Sequence, residues 1–385
     1  MTETKFAYLG SGLDIGRNHR TAVSLHGHTN RSKESLLFLP QLADKCPMLQ
    51  AALEKQCKKS KTTPVDFTRA YWTPPLAPML AYETEKKQIE NVLGLGSLIS
   101  LTDHDNIEAP ILLRAAEETA QIPISLEWSV PYGGMNFHIG VHNLPNSSEQ
   151  TIVAELNAFT RNPCERRMCE LLDMLDRLPD VLLVFNHPLW NQTCPGATQN
   201  DQVLDRFLRL TAKFLHAFEF NATRSAKENK GVIQLAERWQ RPLASGGDRH
   251  GCEPSGALNL TRTENFTEFV WEIRQKQLSQ VLVMPQYAEP VFIRTMRTLL
   301  DVIRNYPEFP IGSRRWDDRI FHPHPASGTY KPISAFWKAP PAYVERTFSC
   351  LRLLEHAAVQ RALRRVFRGA DVSEIPPEVS PEAAS

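Results

Sequence analysis

Histidines and acids recur along this chain in tight pairs and triplets, and imidazole beside carboxylate is a donor set that holds divalent cations. His26 and His28 flank Gly27. Residues two apart on an extended chain face the same side, so both rings can reach one ion. Asp103, His104 and Asp105 directly follow an apolar stretch. Titratable groups at a strand end are what an active site at a barrel mouth requires. Glu127 follows Ile124-Ser125-Leu126, and His138 and His142 compete for a role in the next segment. His187 closes the run Val181–Asn186, where a buried polar group must be paired or liganded. Asp248 and His250 share a face after Gly246 and Gly247, whose lack of side chains lets the backbone approach closely. Taken singly, each has an ordinary explanation: a solvated loop, a surface acid, a satisfied core histidine.

These groups need a scaffold to converge. Strands are predicted over 21–28, 97–102, 122–128, 137–142, 181–186, 217–221, 242–246 and 280–284. Between them, helical spacing falls over 109–121, 149–159, 166–178, 201–215, 229–239 and 266–277. Such alternation predicts an α/β fold with a mainly parallel sheet or barrel. Upstream, 36–61 reads as two short helices broken by Pro40 and Pro47, 64–78 as irregular, and 79–93 as a helix closed by Gly94 and Gly96. Apolar residues at helical spacing predict one helix over 342–369, with Arg361, Arg364, Arg365 and Arg368 crowding its end. Residues 1–20 read as a strand and loop, and 371–385 as a disordered tail.

Bulk properties narrow the function. The 385 residues carry 44 Lys and Arg against 43 Asp and Glu, a net charge of +1 that gives no reason to expect tight binding along a long polyanion. The longest purely apolar run, 181–185, is five residues, where a membrane span needs about 20. No signal peptide is visible, and seven cysteines without a CxxC pair suggest reduced thiols in a cytoplasmic protein without a membrane partner. Cys164 and Cys169 read as ordinary thiols. The pair His322 and His324, set among prolines, is expected in an exposed loop.

Taken together, the motifs resemble the PHP (polymerase and histidinol phosphatase) family in its stand-alone phosphoesterase branch. Leu25-His26-Gly27-His28-Thr29-Asn30-Arg31-Ser32 matches that family's first motif and Ser100-Leu101-Thr102-Asp103-His104-Asp105-Asn106 its second. The likeness runs from Val23 to Gly251, with a weaker echo over 265–277. It implies a distorted (β/α)7 barrel over 21–310 with a helical insertion at about 36–93, followed by a loop and helical extension over 311–370. By match, His26, His28, Glu127 and Asp248 would hold one metal. Glu127 would bridge to a second ion shared with His138 and His187, and His104 and His250 would serve a third. His138 fits the family spacing better than His142. Glu219 aligns with a common acid and is assigned a supporting place around the metals.

One departure stands out. Where the family has an acid or histidine just after Ser32, this chain has Lys33 and Glu34. Either the third site is incomplete, with Lys33 supplying charge instead, or Glu34 substitutes. The implied cofactors are two or three divalent ions, Mn, Fe or Zn, since no thiolate joins the set. The implied reaction is hydrolysis of a phosphate mono- or diester by metal-bound hydroxide, supported by Asp103 and Asp105. Arg31, Lys33, Arg224 and Arg249 are the candidate phosphate cations. The substrate class is a phosphorylated small molecule, a nucleotide or a nucleic-acid end. Hydrolysis of another bond, or a non-catalytic metal-holding module acting through a partner, are the alternatives.

Overall fold

A computed structural model describes residues 3–9, 15–36, 69–190, 197–324, 326–336, 339–340 and 342–367. The strands are β1 (Glu3–Tyr8), β2 (Thr21–Ser24), β3 (Glu34–Ser35), β4 (Tyr71–Trp72), β5 (Gly96–Ile99), β6 (Leu126–Tyr132) and β7 (Met135–His142). They continue with β8 (Leu182–Asn186), β9 (Ala217–Asn221), β10 (Leu243–Gly246), β11 (Ala257–Thr261), β12 (Leu278–Val283), β13 (Ile320–Pro323) and β14 (Tyr330–Pro332). Among the described residues they form a mixed α/β protein with three sheets, ordered β1-β12-β11-β2-β5, β10-β9-β8-β7-β6 and β14-β13-β4-β3.

The predicted strands recur within a few residues. The mainly parallel arrangement does not. β8, β9 and β10 are parallel, as are β2 with β5 and β1 with β12. But β6, β7 and β8 run antiparallel, and β11 is antiparallel to both neighbours. The cause at β6–β7 is local. Tyr132 pairs with Met135 across Gly133 and Gly134, both at positive φ, which makes a two-residue hairpin turn.

No sheet among the described residues closes into the expected barrel. Beyond β2 the chain reaches β10's continuation through a single parallel bridge, Gly27 to Arg249, and beyond β5 it reaches β6 through His104 to Glu127. Neither bridge extends into a ladder, because His26 and Asp105 turn into left-handed backbone beside them (φ 61° and 54°).

Helices cover the sheets with the spacing their sequences demand. Over Glu149–Arg161 the buried residues are Ile152, Val153, Leu156 and Phe159, and over Glu165–Asp176 they are Met168, Leu171, Leu172 and Leu175. Ser225 caps the helix Ala226–Trp239 by accepting from Glu228 N, and Asn265 does the same for Phe266–Arg274 through Glu268 N. Phe207, on the helix Ala197–Thr211, stacks on Phe137 at 4.3 Å between centroids and lies 5.4 Å from Phe185 in the largest apolar cluster.

Pro78–Lys87 is helical as expected, continuing as a π-helical turn over Gln88–Leu93. Residues 37–68 of the expected insertion and the 371–385 tail lie outside the described residues. The single C-terminal helix is instead two, Ala342–Arg352 and Ala357–Val366. His356 is extended between them (φ −63°, ψ 129°) and its ring accepts from Ala358 N, which starts a new helix. Strand β11 and the helix Val291–Ile303 carry no assignment in the sequence reading. His322 is part of β13 rather than of a loop. No helix among the described residues is long and apolar enough to cross a membrane.

Phe207→Ala removes a fully buried ring from the centre of the core, so its urea midpoint should fall by an amount equivalent to about 3–5 kcal/mol. An unchanged midpoint would contradict this packing.

Candidate metal centre

The histidines and acids converge where the strands end. His26 and His28 follow β2, His104 follows β5, His187 follows β8, and Asp248 and His250 follow β10. Glu127 in β6 and His138 in β7 are diagonal neighbours, Glu127 pairing with Gly140 and His138 with Ser129, and Glu34 comes from β3. Their ligand atoms form four overlapping groups, within 4.8 Å inside each: His28, Glu34, His104 and His250; His26, His28 and Glu127; His26, His187 and Asp248; His104, Glu127 and His138.

Glu127 is the hub. Its Oε1 lies 3.1 Å from His187 Nε2 and 3.3 Å from His138 Nδ1. Its Oε2 lies 3.1, 3.3 and 3.4 Å from the Nε2 atoms of His26, His28 and His104. Yet Glu127 Oε2 and His138 Nδ1 are buried without a hydrogen bond among the described residues. His26 and His28 point their Nε2 atoms at each other, 3.2 Å apart. Lone pairs converging in this way are what a cation-binding cluster presents, so the donor set fits divalent metal ions.

Electrostatics tie the cluster together. Burial alone would depress the His26 imidazole, but Glu127, Glu219 and Asp248 outweigh it and hold it well above its usual value. His104 is pushed up to about 10, with Glu34 and Glu127 outweighing burial. Burial would raise Glu127, but His26, His138 and His104 hold it well below the usual carboxylate range. Glu34 and Asp248 are held low against burial in the same way, Glu34 chiefly by His104 and His250, and Asp248 chiefly by His26.

Outer contacts orient the donors. His26 Nδ1 donates to Glu219 Oε1 at 2.5 Å, which leaves Nε2 free to face the cluster. The other Glu219 oxygen accepts from His187 N (2.7 Å) and Asn221 Nδ2 (2.8 Å). Glu219 is therefore a brace around the ligands and joins none of the four groups. A Cβ on Gly246 would sit 1.5 Å from Glu219 Oε1, so the glycine is what admits this carboxylate. His26, His187 and Asp248 all hold positive φ (61°, 28° and 44°), backbone strain gathered at one place.

Not every expected residue reaches the cluster. The Asp103 carboxylate accepts from Thr29 N (2.6 Å) and Oγ1 (2.7 Å), and Asp105 Oδ1 accepts from Ser129 N (2.8 Å). Both brace loops. Arg249 is buried against Glu85 (3.0 Å) and donates to His28 O and Gly251 O. Arg31 pairs with Glu108 on the surface. Lys33 is exposed, its Nζ over the Tyr71 ring, while Glu34 points inward with Oε2 3.3 Å from His104 Nε2 and 3.2 Å from His250 Nε2. Period-two alternation thus turns Glu34 toward His104 and His250 and Lys33 away from them. Arg224 does reach it, 2.9 Å from Asp248 Oδ2 and stacked on Trp190.

His142 stands apart from the four groups, its Nδ1 bonded to Ser100 Oγ at 2.8 Å. Sequence reasoning missed Ser32, which donates to Glu34 Oε1, and the role of Asn186, which donates to Glu127 Oε1 at 3.0 Å. It also missed Trp72 and Trp190, whose rings lie 5.7 Å from His250 and 5.1 Å from His187. Only a neighbouring motif residue could have flagged the first two. The tryptophans carry no spacing signal.

No family model and no curated protein matches the chain. Among solved structures it is similar to a protein from Bifidobacterium adolescentis assigned as a metal-dependent phosphoesterase, at 14% identity over 52% of this chain and 92% of that one, with a TM-score of 0.32. It is also similar to PsfC from Pseudomonas syringae (15% identity, 70% and 93% covered, TM-score 0.39). An amidohydrolase from Chromobacterium violaceum, with sulfate bound and no metal, gives 15% identity, 59% and 87% coverage and a TM-score of 0.33. Likenesses this remote carry no functional weight. The chemistry is read from the chain's own side chains.

Gly246→Ala should displace Glu219 and free the His26 ring, lowering Mn(II) affinity about tenfold or more in equilibrium dialysis. Parent-like binding would show that Glu219 is not needed there.

His142 yields a pH dependence. Burial, aided by the His26 charge, lowers its imidazole from 6.5 to about 3. The unfolded chain therefore takes up a proton that the folded chain refuses, and stability is lost as pH falls below about 6.5, by up to ~1.4 kcal/mol per pH unit. In His142→Gln the plot of unfolding free energy against pH should be shallower by up to that amount between pH 6.5 and 5. Equal slopes would contradict the assignment.

Proposed function

We propose that this chain is a metal-dependent hydrolase of the PHP type that cleaves a phosphate mono- or diester at the cluster around Glu127. What chiefly supports this is the convergence of six imidazoles and three carboxylates. The imidazoles in the four groups are His26, His28, His104, His138, His187 and His250, and the carboxylates are Glu34, Glu127 and Asp248.

We read the two open sheets, joined through the Gly27–Arg249 and His104–Glu127 bridges, as one distorted ring of seven strands, β2, β5, β6, β7, β8, β9 and β10. On this reading residues 21–310 form the hydrolase unit and 311–370 an extension of it. His26, His28, Glu127 and Asp248 hold one ion. Glu127, His138 and His187 hold a second, and Glu34, His104 and His250 a third. Manganese, iron or zinc suits these donors, and such ions would acidify a water and neutralise phosphoryl oxygens.

The chain's own groups do the rest. Glu219 and Asn186 fix the rings and the shared carboxylate. Arg224, braced on Trp190, presents a guanidinium at the edge of the cluster, and its buried Nε makes only a 3.9 Å ion pair with Glu228 Oε1 and no hydrogen bond among the described residues. That donor suits a phosphoryl oxygen. The net charge of +1 favours a small phosphorylated molecule or a nucleotide over a nucleic-acid end, in a cytoplasmic setting. A second reading, hydrolysis of a non-phosphate bond, gains from the loss of Arg31 and Arg249 as phosphate cations, since both are already engaged.

Protein loaded with Mn(II) should release phosphate from aryl phosphates or nucleotides, and His26→Ala should lower the rate by about a hundredfold or more. Cleavage confined to amide or carboxylic-ester substrates would favour the second reading. No cleavage of any of these by metal-loaded protein would leave only a metal-holding module.

A further inference from the structure

The third sheet contains strands from three distant parts of the chain. Glu34 of β3 pairs with Trp72 of β4, and Trp72 pairs with Ile320 of β13. Directly paired residues share a face, and on that face Glu34 contacts His104 and His250 while the Trp72 ring lies 5.7 Å from the His250 ring. On the opposite face Tyr71 stacks on Phe321 (5.0 Å between centroids, 12° between planes) and meets Tyr330 at 5.1 Å.

Two-residue strands such as β3 and β4 make too few hydrogen bonds to hold their own position. β13 is anchored from behind. Thr73 N donates to Arg319 O at 2.9 Å. The buried Arg319 guanidinium donates to the carbonyls of Val302, Arg304, Ser313 and Arg315, which fixes the start of β13 against the end of the helix Val291–Ile303.

We propose that the C-terminal extension is a positioning element of the metal centre, with Phe321 as its key residue. Phe321 clamps Tyr71, β13 thereby holds β4, and β4 holds Glu34 against His104 and His250. This rests on the reading of Glu34 as a ligand. The remaining donors stand on the two larger sheets, so loosening the clamp weakens the Glu34 group and spares the others.

The test measures Mn(II) binding by equilibrium dialysis in the full chain for Glu34→Gln, Phe321→Ala and Phe321→Tyr. Glu34→Gln identifies the ion in question by its loss. Phe321→Ala should weaken that same ion about tenfold with the others unchanged, and Phe321→Tyr, which keeps a ring on Tyr71, should restore it. If Phe321→Ala binds every ion as the parent does while Glu34→Gln loses one, the positioning role is wrong and the ligand reading survives. If Glu34→Gln binds as the parent does, the ligand reading fails and the proposal with it. Should Phe321→Ala fail a thermal-melt check, Tyr330→Ala, exposed on the same clamp, decides by the same criterion.

Discussion

One buried carboxylate facing five of the described imidazoles is the constraint on which this structure turns. Glu127 lies within 3.4 Å of His26, His28, His104, His138 and His187, all buried except the partly exposed His104. Burying so many titratable groups is costly unless they share charge, and here the carboxylates are held low while His26, His28 and His104 are held high. Cations bound among them would let the imidazoles stay neutral and still be satisfied.

The scaffold is shaped around that need. The strands stop where the donors begin, and left-handed backbone at His26, His187 and Asp248 turns each donor from its strand toward Glu127. Arg249 ties three pieces together by pairing with Glu85 on the helix Pro78–Lys87 and donating to His28 O and Gly251 O. A buried pair with such hydrogen bonds is costly to break from one side, so the arginine's work is architectural. Gly246 leaves room for Glu219, and Glu219 orients His26.

Much of this was legible in the sequence because the signals were local. Apolar runs ending in His26, His104 and His187 located the strand ends, and β9 was bounded at Ala217 and Asn221 as found. His138 and Glu34, both named from the sequence, lie within the four groups, and His142 does not. What escaped was long-range. The direction of β7 depends on a Gly133–Gly134 turn whose meaning emerges only with the pairing of Tyr132 and Met135. Arg31 and Arg249 looked like phosphate cations because they adjoin motifs, but their partners Glu108 and Glu85 are remote in sequence or unmarked by any pattern. The small sheet joining Glu34, Trp72 and Ile320 has strands too short for periodicity to reveal.

The most direct test is a crystal structure of the Mn(II)-soaked protein with anomalous scattering recorded at the manganese edge. The account predicts two or three anomalous peaks among His26, His28, Glu34, His104, His138, His187, Asp248 and His250, with the Glu127 carboxylate shared between two of them. Peaks elsewhere on the protein, or a Glu127 carboxylate that touches none, would contradict it.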